Sequence, residues 1–482
     1  MFGIAVRPRT SLTQHYGWLS LLPPVAAIVL ALWLHRVVPA LLAAIVLGSA
    51  LLAGKSMGQV PMAAVDHLVS TAAVADNFRL ILFSVLIGGL IALMRLGGAF
   101  DAFARVFQRG RPTVEKRTLF TMTFALGTAL FLETWSNVLV SGTALGSSFD
   151  RLGVARQRMA YFMHTIAINA VALIPFNSWA AFYLGLLAAQ QVERPFQFLL
   201  ASLPFALYCW ISLALVAIVM VTGWTFGPMR RFDLTGASRA IASTAPGAKA
   251  PTSTPENEPG STVGSLSLFV APLVTLVAVA VFGLTATGAG DPRQGNGAAA
   301  VLYAVIAASV VAALDLRLLR KLRSSELEKV FVEGCGSFVG AAALVLLALT
   351  LGLLIKELGT GLYVANLFEA AVPRALYAPL VFLTGAVMSF ATGTSYGTFS
   401  IMTPIAVPLA YATGSDPHLL FGACLAGGVF GDNCSPISDT TIVTSIATEV
   451  TPVDHVTTQL PFALCAAAAA AAGFTVLGTW LD

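Results

Sequence analysis

Charge is what this sequence has least of. Of its 482 residues, 10% are Asp, Glu, Lys or Arg, against about 25% in soluble domains. With 57% hydrophobic residues and a mean hydropathy of +0.83, the composition excludes a soluble globular fold and indicates a polytopic membrane protein. The net charge of +4 suits basic cytoplasmic loops and carries no nucleic-acid signal. Cysteines are few: Cys209, Cys335, Cys424, Cys434 and Cys465. None pair as CxxC, so neither a disulfide framework nor a zinc site is indicated. All but Cys434 read as buried small hydrophobes. HExxH does not occur, GxSxG occurs only as GKSMG (54–58) and GTSYG (393–397), and no serine–histidine pairing can be inferred beside either, which argues against an enzyme. No small-residue cleavage site follows the basic N-terminus and the apolar stretch Gly17 to Leu34, so that stretch reads as a retained first helix.

Apolar segments are what is there. At about 20 residues per span, the chain has room for roughly ten to thirteen. Segments near 17–34 and 37–53 form a helix pair. Residues 56–77 are mixed, either an amphipathic interfacial helix or a poor span, and a clear span covers Phe78 to Met94. A basic loop follows, carrying Arg105, Arg109, Arg111, Lys116 and Arg117. The reading divides the chain into N-terminal scaffold helices (1–110), a first core (111–222), a linker (223–264), second scaffold helices (265–375), a second core (376–450) and a C-terminal helix (451–482). The linker is rich in Pro, Ser and Thr and reads as flexible. Residues 330–355 read as one Gly- and Ala-rich span suited to close helix packing.

Each core carries a polar run that lipid could not accommodate. A proline-broken polar segment at membrane depth must line an enclosed cavity, because its freed backbone groups need partners. The strongest is GVFGDNCSPISDTTIVTS, residues 428–445. It holds Asp432, Asn433, Ser435, Ser438, Asp439 and Thr440 around Pro436. A weaker counterpart is PFNSW, 175–179, with Asn177 and Ser178. Each is preceded by a Ser-, Thr- and Gly-rich run: ETWSN with Glu133, Ser136 and Asn137, and TGTSYG with Thr394 and Ser395. Ser136 precedes Pro175 by 39 residues, and Ser395 precedes Pro436 by 41. The loop DRLGVARQR (150–158) holds three arginines, whereas its counterpart YATGSDPHLL (411–420) holds none. Since positive charge stays on the cytoplasmic side, the two units would face opposite ways, as in the inverted-topology repeats of secondary transporters.

The residue types point to cations. Unwound carbonyls and half-helix C-termini coordinate Na⁺, and half-helix N-termini attract anions. Ser, Thr and Asn add hard neutral oxygens. A carboxylate adds a site for either a proton or a cation, because burial disfavours its charged form and a bound cation restores it. Asp432 and Asp439 are the Na⁺ candidates, with Glu133 a third acid. His164 is as consistent with hydrogen-bonded packing as with a proton relay. Trp179 reads as packing, and His67, His418 and His455 as interfacial. Neither polar run contains an arginine, which favours an inorganic ion over an organic anion.

GDNCSPISDTT closely resembles the signature of the NhaC-type Na⁺/H⁺ antiporter family, part of the ion transporter superfamily. TGTSYGTFSIMTPIAVPLA, ETWSNVLVSG with DRLGVARQRMAY, and IPFNSW resemble its other core motifs, so the likeness spans about residues 85–450. It implies an all-α polytopic fold with two inverted repeats of re-entrant hairpins and broken helices, working as an elevator. It also implies a homodimer in the bacterial inner membrane. Hairpin tips at Ser136-Asn137 and Thr394-Ser395 would face broken-helix sites at 175–178 and 432–440. No cofactor is implied, only Na⁺ and H⁺ as transported ions, and partners are lipid and a small cation or solute. Tyr396 stands where the family often has tryptophan, and Asn177 where it often has serine. The alternative is a cation- or proton-coupled exchanger of a small organic solute such as a carboxylate or amine.

Overall fold

The computed structural model describes residues 16–34, 36–53, 57–100, 102, 115–233, 266–291, 295–360, 363, 366–367 and 372–481. Its regular structure among these residues is entirely helical. The N-terminal ten residues, Arg105, Arg109, Arg111 and most of the expected linker lie outside them.

Helices α1 (Leu22–Leu34) and α2 (Val37–Ala53) pack together, as their apolar sequences require. Helix α3 (Val60–Ala73) settles the mixed segment. Its 14 residues reach about 21 Å, short of the ~30 Å hydrocarbon thickness, so it does not span alone. Helix α4 (Ala75–Leu96) does, with 22 residues. The first core comprises α5 (Lys116–Ala129), α6 (Thr134–Arg151), α7 (Arg156–Leu173) and α8 (Ser178–Ala189), followed by α9 (Pro195–Ser202) and α10 (Leu207–Thr222). The scaffold of the second half is α11 (Ser267–Thr287), α12 (Gly297–Arg320), α13 (Ser324–Ser337) and α14 (Val339–Glu357). The second core is α15 (Tyr377–Thr392), α16 (Ser395–Thr413), α17 (Pro417–Cys434) and α18 (Asp439–Thr448), closed by α19 (Pro452–Trp480).

Among the described residues, seven helical segments are long and apolar enough to cross a membrane, or up to nine if each bent pair counts as one span. The rest of the apolar sequence is spent on shorter arms. Two expectations are corrected. The stretch 330–355 is not one helix: it breaks at Phe338 between α13 and α14. The start of the linker is docked rather than flexible, with Met229 fully buried and Asp233 3.6 Å from Arg158.

Small residues set how closely these helices approach. Gly427 and Gly431 on α17 lie one turn apart, and a Cβ at either would fall 2.3–2.4 Å from the backbone of α15. This is close contact of the GxxxG kind. Gly88 of α4 and Gly334 of α13 make a similar crossing, each blocking a Cβ on the other. The outside of the bundle is apolar: Trp33, Phe282, Val387 and Trp480 are 62–83% exposed, which lipid accommodates and water would not. Cys465 lies on this outer surface rather than in the core.

Candidate functional site

Both broken helices form, and each is held open by a different chemistry. Between α7 and α8 the chain leaves helical geometry at Ile174, and the two halves meet at 48°. The break frees carbonyls, and Asn177 takes them up. Its Nδ2 lies 2.7 Å from Val171 O, 2.9 Å from Ile174 O and 3.1 Å from Phe131 O, while its Oδ1 accepts from Ala180 N and so caps α8. The contact to Phe131 ties the α5–α6 turn to the break. Asn177 is therefore a structural staple with its hydrogen-bonding capacity used.

The second break, 435–438, is organised around an acid. Asp432 ends α17 and is 2% exposed. Its Oδ2 accepts from Ser395 Oγ at 2.5 Å and from Ser395 N at 3.2 Å. Its Oδ1 accepts from Thr440 Oγ1 at 3.0 Å and from Ser438 Oγ. Ser395 opens α16, so the carboxylate also faces the positive end of that helix dipole. Gly393, in the left-handed region at φ +67, ends α15 and turns the chain so that Thr394 caps α16. Four donors and a helix terminus offset the cost of burying a charge that would otherwise be prohibitive.

The first half places its acid differently. Glu133 caps α6 from within the same turn, accepting from Trp135 N, Ser136 N and Ser136 Oγ at 2.7, 2.7 and 2.9 Å. In both halves, then, a carboxylate caps the second arm of the helix pair at a serine: from the turn itself in one case, from the broken helix in the other. Asn137 instead closes the pair by donating to Gly127 O, and Ser141 donates to it.

The two halves interlock. Tyr396 of α16 donates to Ser178 Oγ at 3.4 Å and packs edge-on against Trp179 and Phe182 of α8, which bears out the packing role of Trp179. Helix α6 packs against α18, so closely that a Cβ on Gly142 would lie 2.7 Å from Ala447 O. Asp439 opens α18. Unlike Asp432 it is exposed, yet it sits beside Trp135 and within electrostatic range of Asp432 and Glu133. Thr440 N donates to Asp439 at 2.7 Å.

Not every expected residue joins. Asn433 points to Tyr208 and Gln459, on α10 and α19, rather than to Asp432. Ser435 Oγ is buried without a hydrogen-bond partner. Three contacts around the site were not legible in the sequence. Arg95, at the end of α4, donates to Ser136 Oγ and lies 3.7 Å from Glu133, so an arginine does reach the first tip although neither polar run contains one. His455 is fully buried rather than interfacial, and it bonds His164. Tyr396 joins the halves. Sequence separations of 38 to 291 residues hide these pairings, and no local pattern signals them. Among the described residues no three His, Cys, Asp or Glu side chains converge as a metal cluster. The donors around Asp432 are hydroxyl and carboxylate oxygens, which suit a hard cation.

Comparison with known proteins identifies the family and the fold. The family model described as the Na⁺/H⁺ antiporter family matches residues 189–479. The chain is 30% identical over 488 residues to an uncharacterised protein of Haemophilus influenzae, covering 95% of this chain and 90% of that one. It is 31% identical over 164 residues to the malate-2H⁺/Na⁺-lactate antiporter of Bacillus subtilis, covering 32% and 33% of the two chains. In fold it resembles the YdaH transporter of Alcanivorax borkumensis, with a TM-score of 0.59, 14% identity, and 95% and 98% of the chains covered. With more than half its length matched by the family model, this chain belongs to the Na⁺/H⁺ antiporter family, and it is a multi-pass membrane protein of the secondary-transporter class rather than an enzyme.

Proposed function

We propose that the protein exchanges Na⁺ for H⁺ across a bacterial inner membrane, with the two ions competing for Asp432 and Asp439. The observation that carries this is the buried Asp432 carboxylate, held by Ser395, Ser438 and Thr440 where a helix break meets a helix N-terminus. A carboxylate so placed is stable either protonated or beside a cation, and the exposed Asp439 offers the approach. The two cores act as inverted repeats. The first repeat supplies the neutral staple Asn177, and the second supplies both acids. Movement of the paired cores against the scaffold helices would expose the site alternately, as an elevator, with the scaffold forming a homodimer interface. No cofactor enters this scheme.

In proteoliposomes with an imposed pH gradient, added Na⁺ should collapse the gradient. Asp432→Asn and Asp439→Asn should each abolish the response, because an amide cannot exchange a proton for a cation. Full exchange in both variants would overturn the assignment. Competition for one carboxylate also requires the apparent Na⁺ KM of the wild type to rise as pH falls.

A second reading, a cation- or proton-coupled exchanger of a small carboxylate, is favoured by one observation. Arg95 projects a half-exposed guanidinium at the first tip, and arginine recognises carboxylates bidentately. Under that reading Na⁺ alone leaves the gradient intact, while malate or lactate on the opposite face drives exchange, and Arg95→Gln removes it.

A further inference from the structure

Two buried histidines stand outside the machinery described so far. His164, on α7, and His455, in the first turns of α19, are both fully buried. His164 is engaged at both ring nitrogens: Nε2 with Thr440 Oγ1 at 3.0 Å, and Nδ1 with His455 Nε2 at 2.9 Å. Thr440 in turn donates to Asp432 Oδ1. Asp432, Thr440, His164 and His455 thus form one hydrogen-bonded file contributed by four different helices.

Counting hydrogens gives the file a direction. Thr440 owns one hydroxyl hydrogen, and an ionised Asp432 claims it. Thr440 must then accept from His164, which carries its proton on Nε2. A neutral ring that donates at Nε2 accepts at Nδ1, so His455 donates from its own Nε2. That leaves a lone pair on His455 Nδ1, which is buried without a hydrogen-bond partner. Every donor in the file points towards Asp432, and its far end is an open acceptor. Packing alone calls for satisfied histidines, not for an aligned file ending in a free nitrogen.

We infer that His455 and His164 are a proton relay serving Asp432, a role that rests on the proton-coupled reading above. Hydronium gives a proton to His455 Nδ1 and returns to water. The His455 Nε2 proton passes to His164 Nδ1, the His164 Nε2 proton passes to Thr440 Oγ1, and the former Thr440 proton passes to Asp432 Oδ1. One proton enters, Asp432 is neutralised, and both rings end neutral with their tautomers exchanged. Neither ring keeps a charge, which suits a dry interior where an unpaired charge is costly. Reversing each transfer returns the proton.

The outer end has a location. His455 N bonds Thr451 O at 2.9 Å, so the residue sits one helical turn, about 5.4 Å, from the exposed Thr451 that caps α19. The neighbouring Glu449 pairs with Arg156 at 3.6 Å. This is the end that carries the arginine-rich loop, the cytoplasmic end by charge bias. Protons thereby reach Asp432 through the protein, while the exposed approach by Asp439 is left to the cation.

The test compares two fluxes in proteoliposomes of wild type, His164→Gln and His455→Gln. One is Na⁺-driven collapse of a pH gradient. The other is exchange of radioactive Na⁺ for Na⁺ at fixed pH, which needs no proton transfer and reports correct folding. The relay requires the first flux to fall by about 100-fold in each variant, the scale of a lost proton-transfer step, with the second at the wild-type rate. Wild-type gradient collapse in either variant overturns the relay. Parallel loss of both fluxes overturns it in favour of a structural role. If the wild type itself shows no Na⁺-coupled proton movement, the reading of the site falls, and the relay with it.

Discussion

Asp432 and Asp439 are seven residues apart in sequence and differ completely in surroundings. One is buried under four donors and the other is exposed at the start of a helix. Because the Ser395 hydroxyl is one of the four donors to Asp432 and alanine keeps the backbone N–H, Ser395→Ala should weaken ion binding without unfolding the core, read as a raised Na⁺ KM with the maximal rate largely kept. Asn177 predicts the opposite pattern. It donates to freed carbonyls before the first break, accepts from the Ala180 N–H after it, and carries no charge. Asn177→Ala should therefore lower the thermal unfolding temperature in detergent, by the roughly 1–3 kcal/mol per stranded buried polar group, and leave the Na⁺ KM of the folded fraction unchanged. An altered KM with wild-type stability would move Asn177 into the ion site.

At the scale of elements, most boundaries were readable. Pro175 and Pro436 announce the two breaks, and the apolar runs the spans. The split at Phe338 was not readable, because nothing but apolar and small residues surrounds it and tertiary contacts decide where such a helix ends. The α15–α17 contact is the element most exposed to mutation. Gly431→Leu would push a side chain into the α15 backbone, where a Cβ already lies 2.4 Å from Ala386 O and Phe390 N. Overpacking of this kind costs about 1–3 kcal/mol or more, and it would also displace Asp432 on the next residue. The expected outcome is loss of both stability and transport, measured by thermal unfolding and by proteoliposome flux.

At the scale of the molecule, the two halves interlock: α6 packs on α18 and α16 on α8. Alternating access makes a definite demand on such an arrangement. Ile437, half-exposed in the second break, should as Ile437→Cys in a cysteine-free background be labelled by a membrane-impermeant reagent from one face, with Na⁺ or a pH gradient shifting which face. Labelling from both faces at once would indicate a channel instead. The proposed homodimer predicts a detergent particle containing two 50.3 kDa chains by light scattering.

The sequence by itself determined that the chain lies in a membrane and that two polar segments break at Pro175 and Pro436, with Asp432, Asp439 and Ser438 at the second. Lipid forces those conclusions, since it tolerates neither free backbone groups nor unpaired polar side chains. Only the tertiary structure decided which acid is buried, that Arg95 reaches the first tip, that Asn177 is a staple, and that His455 joins His164 behind Thr440. These are long-range pairings, and hydropathy and local spacing are blind to them: a buried histidine and an interfacial one have the same neighbours in sequence, and only the packing of four helices around Asp432 tells them apart.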